Sequence, residues 1–199
     1  MTLPETTSSA SIDPARAALL LMDFQPGILG AIADAQDLIA RASAARATAR
    51  KAGTRIVHVR VAFTEQDYAA IPPHNKTFGG IAAGRYLTDG TPATNIHPSL
   101  QPEADDIVVT KTRFGAFSTT NLAGLLNPRR IDTLIFGGVS TSGVVISTLR
   151  DAADRDYRLL VLADCCADPD PDVHRVLMEH VFPRQADVID STALPSILA

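Results

Sequence analysis

The chain has 199 residues, 46% hydrophobic and 20% charged, with a formal net charge of −4. That length fits one domain with a full core, and the acidic balance without any basic run excludes a general nucleic-acid binder. No apolar stretch approaches the roughly 18 residues of a membrane-spanning helix, and the only cysteines, Cys165 and Cys166, are adjacent and cannot build a disulfide framework.

Residues 1–14, MTLPETTSSASIDP, lack the charged start and apolar middle of a signal peptide and read as a flexible arm. Residues 15–199 read as a single domain, and a reduced, cytoplasmic protein is the expectation. The first predicted strand is AALLLM, 17–22, whose unbroken hydrophobicity suits burial on both faces. It ends at Asp23. A helix is predicted over 33–52, with Leu38, Ala42, Ala45 and Ala49 on one face and Gly53 placed to end it.

The second strand is predicted over 54–63, and a long irregular segment rich in Gly, Pro, Thr and Asn fills 64–105. A segment of that length in a compact domain usually shapes a functional site. Strand three follows at 106–110, closed by Lys111, then a helix over 118–126. Strand four spans 132–137, the GVSTSG turn leads into a helix over 141–156, and strand five covers 157–164. A helix over 171–181 and a sixth strand over 186–191 complete the series.

Strands alternating with helices define an α/β chain. Right-handed crossovers then give a three-layer α/β/α, doubly wound, Rossmann-like parallel sheet in the order 3-2-1-4-5-6. Sites in such sheets lie beyond the carboxyl ends of the strands, at the switch between strands one and four. Asp23 and the 138–144 turn end those two strands, and Lys111 lies about 10 Å from strand one at ordinary strand spacing. A lysine stem covers most of that gap, so topology directs Asp23, Lys111 and residues 138–144 toward one pocket.

Three segments, LLLMDFQPGIL, KTRFGAFSTTNL and GVSTSGVVISTLRDAADRDY, resemble in order the signatures of the isochorismatase-like, or cysteine hydrolase, superfamily, over residues 17–190. The resemblance implies a hydrolase in which Asp23 and Lys111 are catalytic. The family's nucleophilic cysteine, in the first turn after strand four, falls at Val144. Such a thiol would be activated by the helix N-terminus, with the aspartate moving its proton and the lysine stabilising charge. The loop residues Val139, Ser140 and Gly143 would form an oxyanion hole, and a non-prolyl cis peptide is implied near Val139–Ser140. Val144 has no nucleophilic atom. Family enzymes that cleave the vinyl ether of isochorismate also lack the cysteine; their aspartate protonates the substrate and water completes the cleavage.

The leading expectation is therefore a metal-free hydrolase of a small metabolite, acting on an amide, imide or vinyl-ether bond through Asp23 and Lys111. Two alternatives stand beside it: a thiol amidohydrolase using Cys165 or Cys166, and a catalytically silent ligand-binding homologue. Arg60, Gln66, Arg113 and Phe117 are candidate substrate contacts, with Arg60 and Arg113 suited to a carboxylate. Arg85 is a further candidate to face the substrate, and the aromatics Phe63, Phe78, Tyr86 and Phe117 are candidates for an apolar pocket wall. Family members that bind zinc use an Asp-x-His segment after strand two; the corresponding VAFTEQDYAAIPPHN has none, so no metal is expected. No G-x-G-x-x-G or P-loop occurs, so no cofactor is expected either. A small molecule is the expected partner, with no nucleic acid or membrane, and the family habit implies a homo-oligomer.

Overall fold

A computed structural model of the chain describes residues 11–198. Six parallel strands form one sheet: β1 (Ala17–Met22), β2 (Arg55–Val61), β3 (Ile107–Lys111), β4 (Thr133–Val139), β5 (Arg158–Ala167) and β6 (Asp187–Ile189). Their order is β3-β2-β1-β4-β5-β6, the doubly wound arrangement expected from the sequence. Every residue of β1 and of β4 is buried, as an all-apolar strand with both faces covered requires.

The helices are α1 (Pro26–Leu29), α2 (Ala35–Ala52), α3 (Glu65–Ala69), α4 (Phe78–Gly84), α5 (Leu122–Leu126), α6 (Ile146–Ala153), α7 (Pro171–Val176) and α8 (Leu194–Ile197). Leu38, Ala42, Ala45 and Ala49 of α2 pack on Leu19, Leu21, Ile56 and Ile135, together with Leu194. Gly53 stops α2 at φ 89°, a left-handed value that glycine adopts without cost. On the opposite face, Leu122, Leu126, Leu149 and Phe182 cover Leu20, Met22, Val57 and Phe136.

The chain departs from the predicted elements in several places: the helix expected over 118–126 forms only as α5, the helix expected over 171–181 gives way to a π-turn over Leu177–Val181, and β4 runs on to Val139. Residues 64–105 are not irregular throughout, because α3 and α4 lie within them. Thr64 and Asp67 form a capping box at the start of α3. Strand five runs three residues beyond Asp164, to Ala167, and carries an irregularity: Phe136 pairs with Val161, but Gly138 pairs with Cys166. The helix after β4 begins as a π-turn, Thr141–Val145, before α6. At the N-terminus, residues 1–10 of the expected arm lie outside the described residues, but Ile12 is buried and its amide donates to the Ile197 carbonyl at 2.9 Å.

Candidate active site

The carboxyl ends of β1, β3 and β4 open into a cavity of about 270 Å³. Asp23 and Lys111 line it, together with Val139, Ser140, Gly143 and Val144. This volume is near the lower end of ligand sites and suits a small metabolite. Asp23 is held by backbone before its side chain is considered: its amide donates to Val59 at 2.8 Å, and its own carbonyl accepts from Gln25 at 2.8 Å. Its φ is 59°, a left-handed conformation that costs a non-glycine residue about 1–2 kcal/mol. Sparsely populated backbone of this kind collects at functional sites.

Lys111 ends β3 opposite Val61. Its ammonium reaches back across β2 to Asp23 Oδ2 at 2.7 Å, with both side chains buried. The other carboxylate oxygen, Oδ1, is buried without a hydrogen-bond partner among the described residues. Burial pushes the Asp23 carboxyl above its ordinary range, and the neighbouring Lys111 charge opposes that rise. One oxygen is thus held by a cation while the other is free for a ligand proton.

Gln25, which the sequence reading passes over, anchors this corner. Fully buried, it accepts from the Val61 amide at 2.7 Å and donates to the carbonyls of Val61 and Thr94 at 2.9 and 2.8 Å. It thereby ties the ends of β1 and β2 to the 92–94 turn. The signal for it is a glutamine three residues beyond an apolar strand, too weak to separate from a surface side chain.

The peptide between Val139 and Ser140 is cis. Beyond it, the amides of Gly143 and Val145 both donate to the Ser140 carbonyl, at 3.1 and 3.3 Å, while the Ser142 amide donates to Asp168 Oδ2 at 2.8 Å. Gly143 therefore lines the cavity with its amide already committed. Val144 is buried, and it presents only an apolar side chain to the cavity.

The structure divides the candidate substrate contacts. Arg113 lines the cavity, donates to the Thr112 carbonyl at 2.6 Å and lies 5.3 Å from the centre of the Phe78 ring. Arg60 faces away, pairing with Asp89 at 2.5 Å and donating to the Thr94 carbonyl at 3.1 Å beside a separate groove. Gln66 is exposed on α3, and Phe117 is buried in the core, stacked against Tyr157. Neither lines the cavity. Arg85 pairs with Glu65 at the surface, Tyr86 is exposed and Phe63 is buried outside the cavity lining, whereas Phe78 forms part of its wall.

Cys165 and Cys166 also lie outside the cavity lining, packed into the clusters on opposite faces of the sheet. Burial, reinforced by Asp164, raises the Cys165 thiol, and burial pushes Cys166 up to about 12. Among the described residues, no group of three or more His, Cys, Asp or Glu side chains is placed to hold a metal ion. No helix among them is long and apolar enough to cross a membrane.

The fold is a doubly wound α/β sheet with a cavity at the carboxyl ends of its central strands, and the chain belongs to the isochorismatase family, whose domain model matches residues 17–193. It is similar to maleamate amidohydrolase of Pseudomonas putida, with 29% identity over 189 residues that cover 86% of this chain and 82% of that protein. A ureidoacrylate amidohydrolase of Methylorubrum extorquens is 30% identical over 192 residues, covering 86% of this chain and 77% of that one. The fold matches that of a cysteine hydrolase from Pseudomonas syringae pv. phaseolicola with a TM-score of 0.85, 21% identity and 95% of each chain covered. The protein is an isochorismatase-family hydrolase.

Proposed function

We propose that the protein hydrolyses an amide of a small carboxylic acid, with Asp23 as the proton-transfer group, Lys111 as its charge partner and water as the nucleophile. The observation that carries this reading is the buried Asp23 Oδ1, which has no partner among the described residues, in a cavity where Val144 offers no nucleophilic atom. In the first step the water oxygen bonds to the substrate carbonyl carbon and its proton passes to Asp23 Oδ1. The carbonyl oxygen becomes an oxyanion. The Ser142, Gly143 and Val145 amides are engaged elsewhere, so the amides of Ser140, Thr141 or Val144 would meet that charge. In the second step the C–N bond breaks, the carbonyl re-forms, and the Asp23 proton goes to the departing nitrogen.

The acid part of the substrate is inferred from charge. Asp23 and Lys111 neutralise one another, which leaves Arg113 as the remaining charged side chain of the lining, without an acidic partner among the described residues. Its free donors suit a carboxylate. The amidohydrolase names of two relatives support an amide bond. Val144 favours a second reading, cleavage of a vinyl ether, in which Asp23 protonates the vinyl carbon and water completes the reaction. Asp23 is the only carboxylate in the lining, which holds no histidine or cysteine, and neither reading calls for a metal.

The test is a panel of small carboxy-amides, including maleamate and ureidoacrylate, with one vinyl-ether acid, assayed by mass spectrometry on wild type and Asp23→Asn. Asparagine keeps the shape but moves no proton, so turnover is expected to fall roughly a hundred- to ten-thousand-fold. Turnover within a few-fold of wild type in the variant removes Asp23 from the mechanism. An acyl adduct on Cys165 or Cys166, trapped during turnover, overturns water as the nucleophile.

A further inference from the structure

The turn from Ser140 to Val145 closes with its own bonds, the Ile146 amide donating to the Gly143 and Thr141 carbonyls. It is a π-turn, in which the Gly143 and Val145 amides share the single Ser140 carbonyl. Such a turn departs from the regular helical ladder, and turns of this type occur frequently at functional sites. Two bonds from outside supplement it. Asp168 Oδ2 accepts from the Ser142 amide at 2.8 Å, and His174 Nδ1 is hydrogen-bonded to the Thr141 hydroxyl at 2.8 Å. Thr141 is fully buried, so its hydroxyl depends on that ring nitrogen.

Asp168 lies in the connection from β5 into α7 and His174 within α7 itself, and this stretch is pinned in turn. Asp168 Oδ1 accepts from the Asp170 amide at 3.3 Å, and the Asp170 carboxylate caps α7 by accepting from the Asp172 and Val173 amides at 2.9 and 3.4 Å. Pro169, between the two aspartates, lines the cavity. The same short stretch thus forms one side of the cavity and holds the turn that closes another.

We propose that Asp168 and His174 are positioning residues for hydrolysis, clamping the Thr141–Ser142 peptide so that the amides of the turn keep a fixed place relative to Asp23. The proposal rests on the reading of that turn as the oxyanion-binding part of the site. Asp168 sets it through the backbone, and His174 through the Thr141 side chain. Neither touches substrate. A displacement of about 1 Å in a catalytic donor costs up to roughly a hundred-fold in rate, so loss of either bond is expected to lower kcat while leaving KM nearly unchanged.

The experiment pairs disruptive and conservative variants: His174→Leu with His174→Asn, and Asp168→Ala with Asp168→Asn. The Asn side chains restore a polar partner near Nδ1 and an acceptor for the Ser142 amide. Hydrogen exchange of residues 140–145 is measured on each protein, and kcat and KM are measured on maleamate. The clamp predicts faster exchange and a roughly ten-fold lower kcat in the Leu and Ala variants, KM within about two-fold, and recovery of both readouts in the Asn variants. A double variant, Thr141→Val with His174→Leu, is expected to be no worse than either single change, as for partners in one bond. Exchange that fails to separate the Leu and Ala variants from their Asn counterparts overturns the clamp, with or without turnover. An unchanged kcat in a folded His174→Leu protein also overturns it. Asp23→Asn is assayed alongside: if it keeps its activity, the catalytic reading fails while the exchange data still judge the clamp.

Discussion

Asp106 and Asp23 both have buried side chains, but their surroundings differ. Asp106 receives the Glu103 amide at 2.9 Å, Arg50 at 2.9 Å and His58 at 3.1 Å. Burial raises its pKa, but these three partners outweigh burial and hold it below the ordinary carboxylate value. His58, also buried, is shifted the other way for a base: desolvation lowers its pKa from 6.5, against the pull of Asp106. The unfolded chain therefore takes up a proton near pH 6.5 that folded His58 declines, so this contribution to stability is full above that pH and shrinks as pH falls through it. Asp106 follows in a separate window, its contribution lost only as pH falls through its lowered value. Asp23, raised by burial, acts in the opposite sense and loses its contribution as pH rises through its folded value. Urea midpoints of wild type are expected to drop more between pH 7.5 and 5.5 than those of His58→Gln; parallel slopes would show that His58 is not the source. The convergence of Asp23 and Lys111 is legible because strand order sets Asp23 at the switch point and Lys111 two strands away, within reach of a lysine stem, while the role expected of them comes from the family resemblance. Arg60 misleads because a charge says nothing about which face it occupies. Strand alternation would have settled it: Val61 lines the cavity, so Arg60, one residue earlier, points to the other face.

In β5 the predicted end at Asp164 fails because a carboxylate there is satisfied within the fold. Its oxygens accept from the Ser191 amide at 2.8 Å and the Ser191 hydroxyl at 2.6 Å, so the strand continues through Cys165 and Cys166. Successive side chains of a strand point to opposite faces, and the two thiols accordingly enter opposite cores. Both are expected to resist iodoacetamide in the folded protein, since the thiolate is the reactive form and burial suppresses it. Cys165→Ser and Cys166→Ser, singly and together, are expected to lower stability by about 1–3 kcal/mol each through a buried hydroxyl while turnover stays within about two-fold. Loss of activity in a folded single variant, with alkylation of that thiol in wild type, would make it the nucleophile. The helices inside 64–105 are only half legible. The Thr64-x-x-Asp67 spacing announces α3, but α4 reads FGGIAAG, and its three glycines argue against a helix by propensity. Tertiary contact overrides that propensity, since Phe78 at its start is buried against Phe63 at 6.2 Å.

The molecule as a whole has two large apolar clusters, one on each face of the sheet, and a third, small cluster made by Val61, Phe63, Tyr68, Ile71 and Phe78 at the end of β2. The third is closed by the Phe63 amide donating to the Leu87 carbonyl at 3.0 Å, the Asp89 amide donating to the Phe63 carbonyl at 2.9 Å, and the Tyr68 hydroxyl, bonded to the Tyr86 carbonyl at 2.8 Å and the Thr88 hydroxyl at 3.0 Å. Its segment supplies Thr77, Phe78, Ile81 and Leu87 to the cavity, while the sheet supplies Asp23, Lys111 and the Val139–Val144 turn. The cavity thus lies between the sheet and a small satellite cluster, and binding segments commonly come from the low-stability end of a fold. Residues 65–88 are expected to exchange their amides through an opening of lower free energy than that of β1 and β4, and a bound substrate acid should slow that exchange by mass action. Phe78→Ala sharpens the test. Removing a packed phenylalanine costs about 3–5 kcal/mol, and if the satellite is a separate unit that cost falls on its local opening. The variant should show fast exchange and protease cleavage across 65–88 and a raised KM, with protection of the central strands close to wild type. If residues 65–88 and the central strands instead lose protection together, in wild type or in Phe78→Ala, the satellite unfolds with the sheet and the cavity has no independently opening wall.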